Sequence, residues 1–152
     1  FVIEIAGNIE VQVVDMMKQY KSFESINFLG RLSRKETIKK MTNSTFLWLI
    51  IGNVKFHYQT VPIKLFEYIA ARRPILNFAP SISESSTIIE NNNIGYNFDT
   101  FNFDKETSLK IFNEIILNYQ KGEYKNALPI NTVTYFTWEK QVNRLKEFLL
   151  EN

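Results

Sequence analysis

Along this chain the spacing of apolar residues switches repeatedly between the strand period of two and the helix period of 3.6. FVIEIAG (1–7) is a β-rich run closed by Gly7, and VQVVDMMKQY follows with Val11, Val14 and Met17 at helical spacing. SINFLG (25–30) reads as a strand ended by Gly30. Ser33 is then placed to cap a polar helix, RKETIKKM, with Thr37, Ile38 and Met41 as its inner stripe. FLWLIIG (46–52) is apolar at every position until Gly52, which predicts a strand covered on both faces at the centre of a parallel sheet. A loop over 53–60 leads to a helix at about 61–71, with Pro62 suited to its first turn.

Pro74 opens the next strand, PILNF, and a Ser-rich turn and short helix at about 84–91 come after it. IGYNF (94–98) reads as a weaker last strand. Asp104 starts a long helix with Leu109, Phe112, Ile116 and Tyr119 on one face, stopped near Gly122. A final helix at about 137–150 carries Trp138, Val142, Leu145 and Leu149 along one side. Strand and helix alternating with short links predict an α/β three-layer, Rossmann-like sandwich with a mainly parallel sheet. No internal repeat or linker interrupts it, so residues 1–152 are expected to form a single domain.

Composition narrows the possible chemistry. Apolar residues make up 45% and charged residues 22%, which excludes a disordered chain. With 18 Lys and Arg against 16 Asp and Glu there is no concentrated basic excess, so nucleic acid is not an expected partner. The chain has no cysteine, hence no thiolate site, and its one histidine, His57, excludes a multi-histidine metal centre. His57 reads more naturally as an exposed or packing residue than as a ligand. The abundant Phe and Tyr, 13 and 7, read chiefly as core. The longest apolar run, Phe46 to Ile51, is far short of the ~18 residues of a membrane span.

In open parallel sheets ligands bind beyond the carboxyl ends of the strands. Glycine-rich dinucleotide and Walker loops are absent there, as is the GxSxG elbow. The most informative stretch is QTVPIKLFEYIAARRPILNF (59–78). Its helix start would offer free amides to an anion such as a diphosphate, with Lys64 in the first turn and Glu67 one turn later. A carboxylate so placed suits the vicinal hydroxyls of a ribose. The same spacing also fits a plain surface ion pair at i, i+3. Arg72 and Arg73, at the far end of the helix, suit its C-terminal dipole.

VPIKLFEYIAARRPIL resembles the signature of the C-terminal, nucleotide-sugar-binding domain of GT-B-fold glycosyltransferases, of the large retaining group 1 or family 4 type. INFLGRLSRKETIKKM resembles that family's strand–Gly–helix segment, SSTIIENNNIGYNF its helix–turn–Gly segment and TYFTWEKQVNRLKEFL its tail, so the likeness covers nearly the whole chain. The resemblance implies half of a GT-B fold that binds a nucleoside-diphosphate sugar of UDP or GDP type, in polysaccharide or glycoconjugate biosynthesis. Glu67 matches the glutamate that holds the donor ribose, and Lys64 would face the diphosphate. Thr60, Val61 and Pro62 form the helix entry between them and Gln59. Gln59 stands eight residues before Glu67, where the family usually has a glutamate on the donor sugar; a glutamine keeps hydrogen bonding there but not charge. Arg31 and Leu32 match the loop that lines the nucleobase.

The resemblance further implies retention at the anomeric carbon, with the departing diphosphate stabilised electrostatically and no metal or other cofactor. It assigns no catalytic residue in this chain. An earlier strand, placed between 1–7 and 46–52, is expected upstream of Phe1, with an arginine and a lysine for the diphosphate and an N-terminal domain for the acceptor. The chain is thus expected to be the donor-binding part of a longer, cytoplasmic enzyme that could sit peripherally at the inner membrane face. Self-association of the part alone is also expected. Two other readings stay open, a sugar-nucleotide epimerase of the same architecture and a non-catalytic nucleotide-binding or assembly domain.

Overall fold

The computed structural model describes residues 1–52, 58–123 and 128–151. Among the described residues five strands alternate with helices in the order β1 (Ile3–Ala6), α1 (Val11–Met17), β2 (Ile26–Gly30), α2 (Arg34–Asn43), β3 (Leu47–Ile50), α3 (Ile63–Ala70), β4 (Ile75–Ala79), α4 (Glu84–Asn91), β5 (Gly95–Asp99), α5 (Lys105–Gln120), α6 (Ile130–Tyr135) and α7 (Trp138–Glu151). A single 3₁₀ turn, Lys21–Ser25, precedes β2. All pairings are parallel, which gives the expected α/β, Rossmann-like class. The chain divides into two compact units, Phe1–Lys40 and Met41–Asn152, with the boundary inside α2. Among the described residues no helix is long and apolar enough to cross a membrane.

In the first unit β1 pairs with β2, Ile3 opposite Ile26 and Ala6 opposite Gly30. The Gly7 amide donates to the Gly30 carbonyl at 2.7 Å, which carries the pairing one residue past the strand. Ser33 begins α2 with a reciprocal capping arrangement. Its hydroxyl and its amide donate to Glu36 Oε2 at 2.6 and 2.8 Å, and the Glu36 amide donates back to Ser33 Oγ at 3.3 Å. The Ser33 hydroxyl, then its amide, hold the Glu36 carboxyl below the usual carboxylate range. The expected inner stripe of α2 is only partly inward, because Ile38 is exposed.

The second unit contains the core. Its sheet runs β3–β4–β5, with Leu47 opposite Ile75 and Ile75 opposite Gly95. On one face Leu49, Ile75 and Ala79 pack with Leu65 and Ile69 of α3, Ile89 of α4 and Leu128 before α6. On the other, Leu76 and Phe98 meet Ile115 of α5. There the Phe78 and Phe98 rings stack at 4.7 Å between centroids, and Phe98 and Phe112 at 4.8 Å. Burying side chains the size of Leu65 or Ile69 stabilises by about 1.5–3 kcal/mol each.

Three expectations are corrected here. β4, not β3, is the strand covered on both faces: Ile75, Leu76, Asn77 and Ala79 are all buried. β3 has only β4 beside it among the described residues, and its Trp48 and Ile50 remain exposed. An unbroken apolar run states that a strand likes apolar neighbours but not where it stands in the sheet. The inner face of α5 is Ile111, Phe112 and Ile115, while Leu109, Ile116 and Tyr119 are exposed; the apolar residues fit two stripes, and docking selects the one that meets Phe98. Finally, the aromatic residues are mostly surface rather than core. Phe98 alone among the described aromatic residues is fully buried, and Phe66, Phe101, Phe103, Trp138 and Phe148 are exposed.

Gly95 opens β5 at a point of close approach. A Cβ there would run into the backbone carbonyl of Ile75, directly across the ladder on β4. Because the obstacle is backbone of the central strand, it cannot rotate aside. Gly95→Ala is expected to destabilise the second unit by at least the ~1–3 kcal/mol of ordinary overpacking, read as a lowered urea midpoint with unchanged slope.

Candidate functional site

At the carboxyl edge of the β3–β4–β5 sheet the chain leaves β3, passes through 58–62 and enters α3. Pro62 is the N-cap, with φ −67° and ψ 139°, and its carbonyl accepts from the Leu65 amide at 2.9 Å. Proline presets φ and keeps the preceding residue extended, which is why the helix starts here and not earlier. Leu65 and Ile69, four apart and buried, fix the rotation of α3. That rotation leaves Lys64 exposed and Glu67 and Tyr68 half-buried. Burial, and then the charge of Glu67, push the Tyr68 hydroxyl above its ordinary range. The amides of Ile63 and Lys64, ahead of the bond from Leu65 to Pro62, have no acceptor within the helix.

The entry segment is tied to its neighbour. The Tyr58 carbonyl accepts from the Glu84 amide at 2.9 Å, joining this segment to the start of α4. Ser83 caps α4, its Oγ accepting from the Ser86 amide at 3.3 Å and donating to Ser86 Oγ at 3.0 Å. Ser86 Oγ donates to the Pro80 carbonyl at 3.0 Å and accepts from Asn77 Nδ2 at 3.1 Å. Asn77 also donates to Asn97 Oδ1 at 2.9 Å, and Asn97 Nδ2 donates to the Ser86 carbonyl at 3.0 Å. Ser83, Ser85, Ser86 and Asn77 are all buried. The stretch that reads as a Ser-rich turn is therefore an internal polar network spanning β4, β5 and α4. The signal for it in the sequence is an asparagine inside each of two strands, Asn77 in β4 and Asn97 in β5.

Asp99 ends β5 at the same edge. Its Oδ1 accepts from the amides of Phe101 at 2.8 Å and Asn102 at 3.2 Å. Burial pulls its carboxyl upward, but the bonds from Phe101, Asn102 and both the hydroxyl and amide of Ser81 outweigh it and hold the group below the usual carboxylate range. Asp99 thus pins the Pro80–Ser83 turn to the end of β5.

Of the sequence-predicted site residues, Gln59, Thr60, Val61, Pro62, Lys64 and Glu67 lie together on the entry segment and first turns of α3. Gln59 and Thr60 are exposed, Val61 and Pro62 half-buried. Arg31 and Leu32 belong to the first unit, on the turn between Gly30, whose φ is 64°, and α2; Arg31 is exposed and Leu32 half-buried. His57 lies outside the described residues. Arg72 and Arg73 serve structure, but through distant carbonyls more than through the dipole of α3. Arg72 adopts a left-handed φ of 58° past the helix end, donates from Nε to the Leu128 carbonyl at 2.7 Å and accepts from the Leu128 amide at 3.0 Å. Arg73 donates from Nε to the Thr42 carbonyl at 2.8 Å, and its Nη2 bonds the same oxygen.

No family model matches the chain, and no curated protein does. Among solved structures it is similar to WaaG, a glycosyltransferase involved in lipopolysaccharide biosynthesis, at 14% identity with a TM-score of 0.63. The similarity covers 88% of this chain and 33% of that one, so the chain spans about a third of the length of that enzyme. At this identity the likeness is one of fold.

The pinning of Asp99 has a pH signature. A carboxyl lowered on folding contributes stability that is full above its unfolded value of ~3.9 and is lost as pH falls through the folded value. Asp99→Asn should therefore lower stability at pH 7 and flatten the acid limb below about pH 4. Urea titrations of both proteins at pH 7 and pH 3 measure the difference, which should shrink at the lower pH.

Proposed function

We propose that this chain is the donor-binding portion of a longer retaining glycosyltransferase and takes a nucleoside-diphosphate sugar. The observation that carries this reading is the segment from Gln59 to Glu67. It is an extended entry followed by a proline-started helix at the carboxyl edge of a parallel sheet, where such folds bind ligands. The likeness of fold to a glycosyltransferase supports it. In this reading the first-turn amides of α3 and the Lys64 ammonium receive the diphosphate. Glu67 accepts two hydrogen bonds from the ribose diol, and Gln59 bonds the sugar.

The chemistry asked of these groups is electrostatic. Charge developing on the departing diphosphate is met by oriented amides and a cation, which need not reorganise as the bond breaks. The acceptor, and the further basic groups expected upstream, belong to the longer enzyme in this proposal. Acceptor-dependent release of nucleoside diphosphate by that enzyme, with retention at the anomeric carbon, is the activity to assay.

Titrating UDP and GDP into this chain while following backbone amide NMR shifts is expected to move resonances over 59–67. Glu67→Ala should weaken that binding by at least about tenfold, from the loss of charged hydrogen bonds worth ~1.5–3 kcal/mol each. A role limited to a surface ion pair would change folding by only ~0.2–0.5 kcal/mol and leave nucleotide affinity as it was. Equal affinity in the two proteins would overturn the assignment of Glu67.

A further inference from the structure

A concave surface lies on the same unit. It is a groove of about 620 Å³, built from α3, the C-terminal half of α4, the end of α6 and the start of α7. Along α4 it runs from Thr87 to Asn92, and Phe66, which adjoins Glu67 on α3, forms part of its wall. Its size falls in the range of about 300–1,000 Å³ typical of small-molecule sites.

The lining has a definite chemistry. Phe66 and Phe136, their rings 5.9 Å apart between centroids, supply apolar faces. Arg144 sits over the Tyr135 ring with its guanidinium carbon 5.0 Å from the centroid. Its Nη1 donates to Gln141 Oε1 at 3.2 Å, and Gln141 Nε2 in turn donates to the Tyr135 carbonyl at 2.5 Å. The cation is thus held in place from two sides while only one of its N–H groups is used. No carboxylate lines the groove, and Arg144 pairs with none among the described residues. The Asn91 side chain, exposed at the rim, has no hydrogen-bond partner among the described residues.

We propose that this groove binds an anionic sugar. Its charged group meets the free edge of Arg144, its hydroxyls meet the Asn91 amide, and the apolar face of its ring lies on Phe66 and Phe136. An uncharged sugar would leave the guanidinium unanswered. A simple carboxylate or phosphate would use neither the amide nor the aromatic faces. Because Arg144 is already oriented by Gln141 and Tyr135, little ordering cost falls on binding. The proposal does not depend on nucleotide binding at Glu67, and the two sites can be read in the same spectra.

The test titrates the chain with glucuronate, glucose 6-phosphate, glucose and acetate at matched ionic strength, following amide and side-chain NMR shifts. At least one of the two anionic sugars is expected to move Asn91, Gln141 and Arg144, and whichever binds tighter identifies the charged group. Glucose and acetate should need at least about tenfold higher concentration. Arg144→Gln, an exposed change that should leave the melting temperature unaltered, is expected to weaken the anionic sugar about tenfold or more. Asn91→Ala should weaken it less. The proposal fails if neither anionic sugar shifts these residues, if acetate binds as well as the sugars, or if Arg144→Gln binds as tightly as the parent. UDP shifts over 59–64, residues that do not line the groove, keep that failure separate in the same samples from failure of the nucleotide reading.

Discussion

A polar side chain in a parallel strand buried on both faces is cut off from water, and β4 contains Asn77. Its neighbours Ile75, Leu76 and Ala79 are apolar and buried, and only protein groups are in reach: Nδ2 finds two of them, whereas Oδ1 is buried with no partner among the described residues. A buried polar group left unpaired costs about 1–3 kcal/mol. Asn77 donates to Asn97 on β5 and to Ser86 on α4, and Ser86 extends the chain of bonds to Pro80 and Ser83. One polar residue in the central strand thereby fixes the turn that follows it, the start of α4 and the neighbouring strand. The edge of the sheet where Gln59 to Glu67 enter α3 is tied to the same network, since the Glu84 amide at the start of α4 also holds the Tyr58 carbonyl.

Electrostatics at this edge reinforces the same geometry. Asp99 gathers donors from both sides of β5's end, and Tyr68 is kept protonated by burial beside Glu67. Glu67 itself stands half-buried where its helix is rotated into position by Leu65 and Ile69. The orientation of a polar residue on α3 is therefore set by two aliphatic side chains on its other face, a division of labour between packing and chemistry that recurs at Arg144, held by an aromatic ring.

Much of this was legible from the residues. Gly7, Gly30, Pro62, Pro74, Asp104 and Gly122 mark element ends whose physical causes are local: positive φ, a fixed φ, or a side chain that caps. Ser33 with Glu36 is equally local. What was not legible depended on neighbours distant in sequence. The run FLWLII is the same string in a central or an edge strand, so the exposure of Trp48 and Ile50 could not be read from it. The helix α6, INTVTY, is rich in β-branched residues that disfavour helix, and forms where Val133 and Phe136 pack on the core. The serines at 83, 85 and 86 look like solvent-facing turn residues until Asn77 is seen behind them. At the candidate site the helix start at Pro62 was readable, whereas the tie from Tyr58 to Glu84 and the hold of Asp99 on Ser81 were not, because each joins segments that meet only once the sheet is formed.

The reciprocal pair between Arg72 and Leu128 bears on the order of assembly. It joins residues 56 apart, with β4, α4, β5 and α5 all falling within the enclosed stretch. Closing so long a loop carries an entropic cost that is recovered only once both ends have something rigid to meet. The carbonyl and guanidinium Nε of Arg72 are in position only after its left-handed turn has formed between α3 and β4. The segment from Leu128 through α7 therefore docks late, onto a sheet and helices already in place. Changes at this clasp should act mainly on the rate at which the C-terminal segment leaves, not on the rate at which the sheet is built.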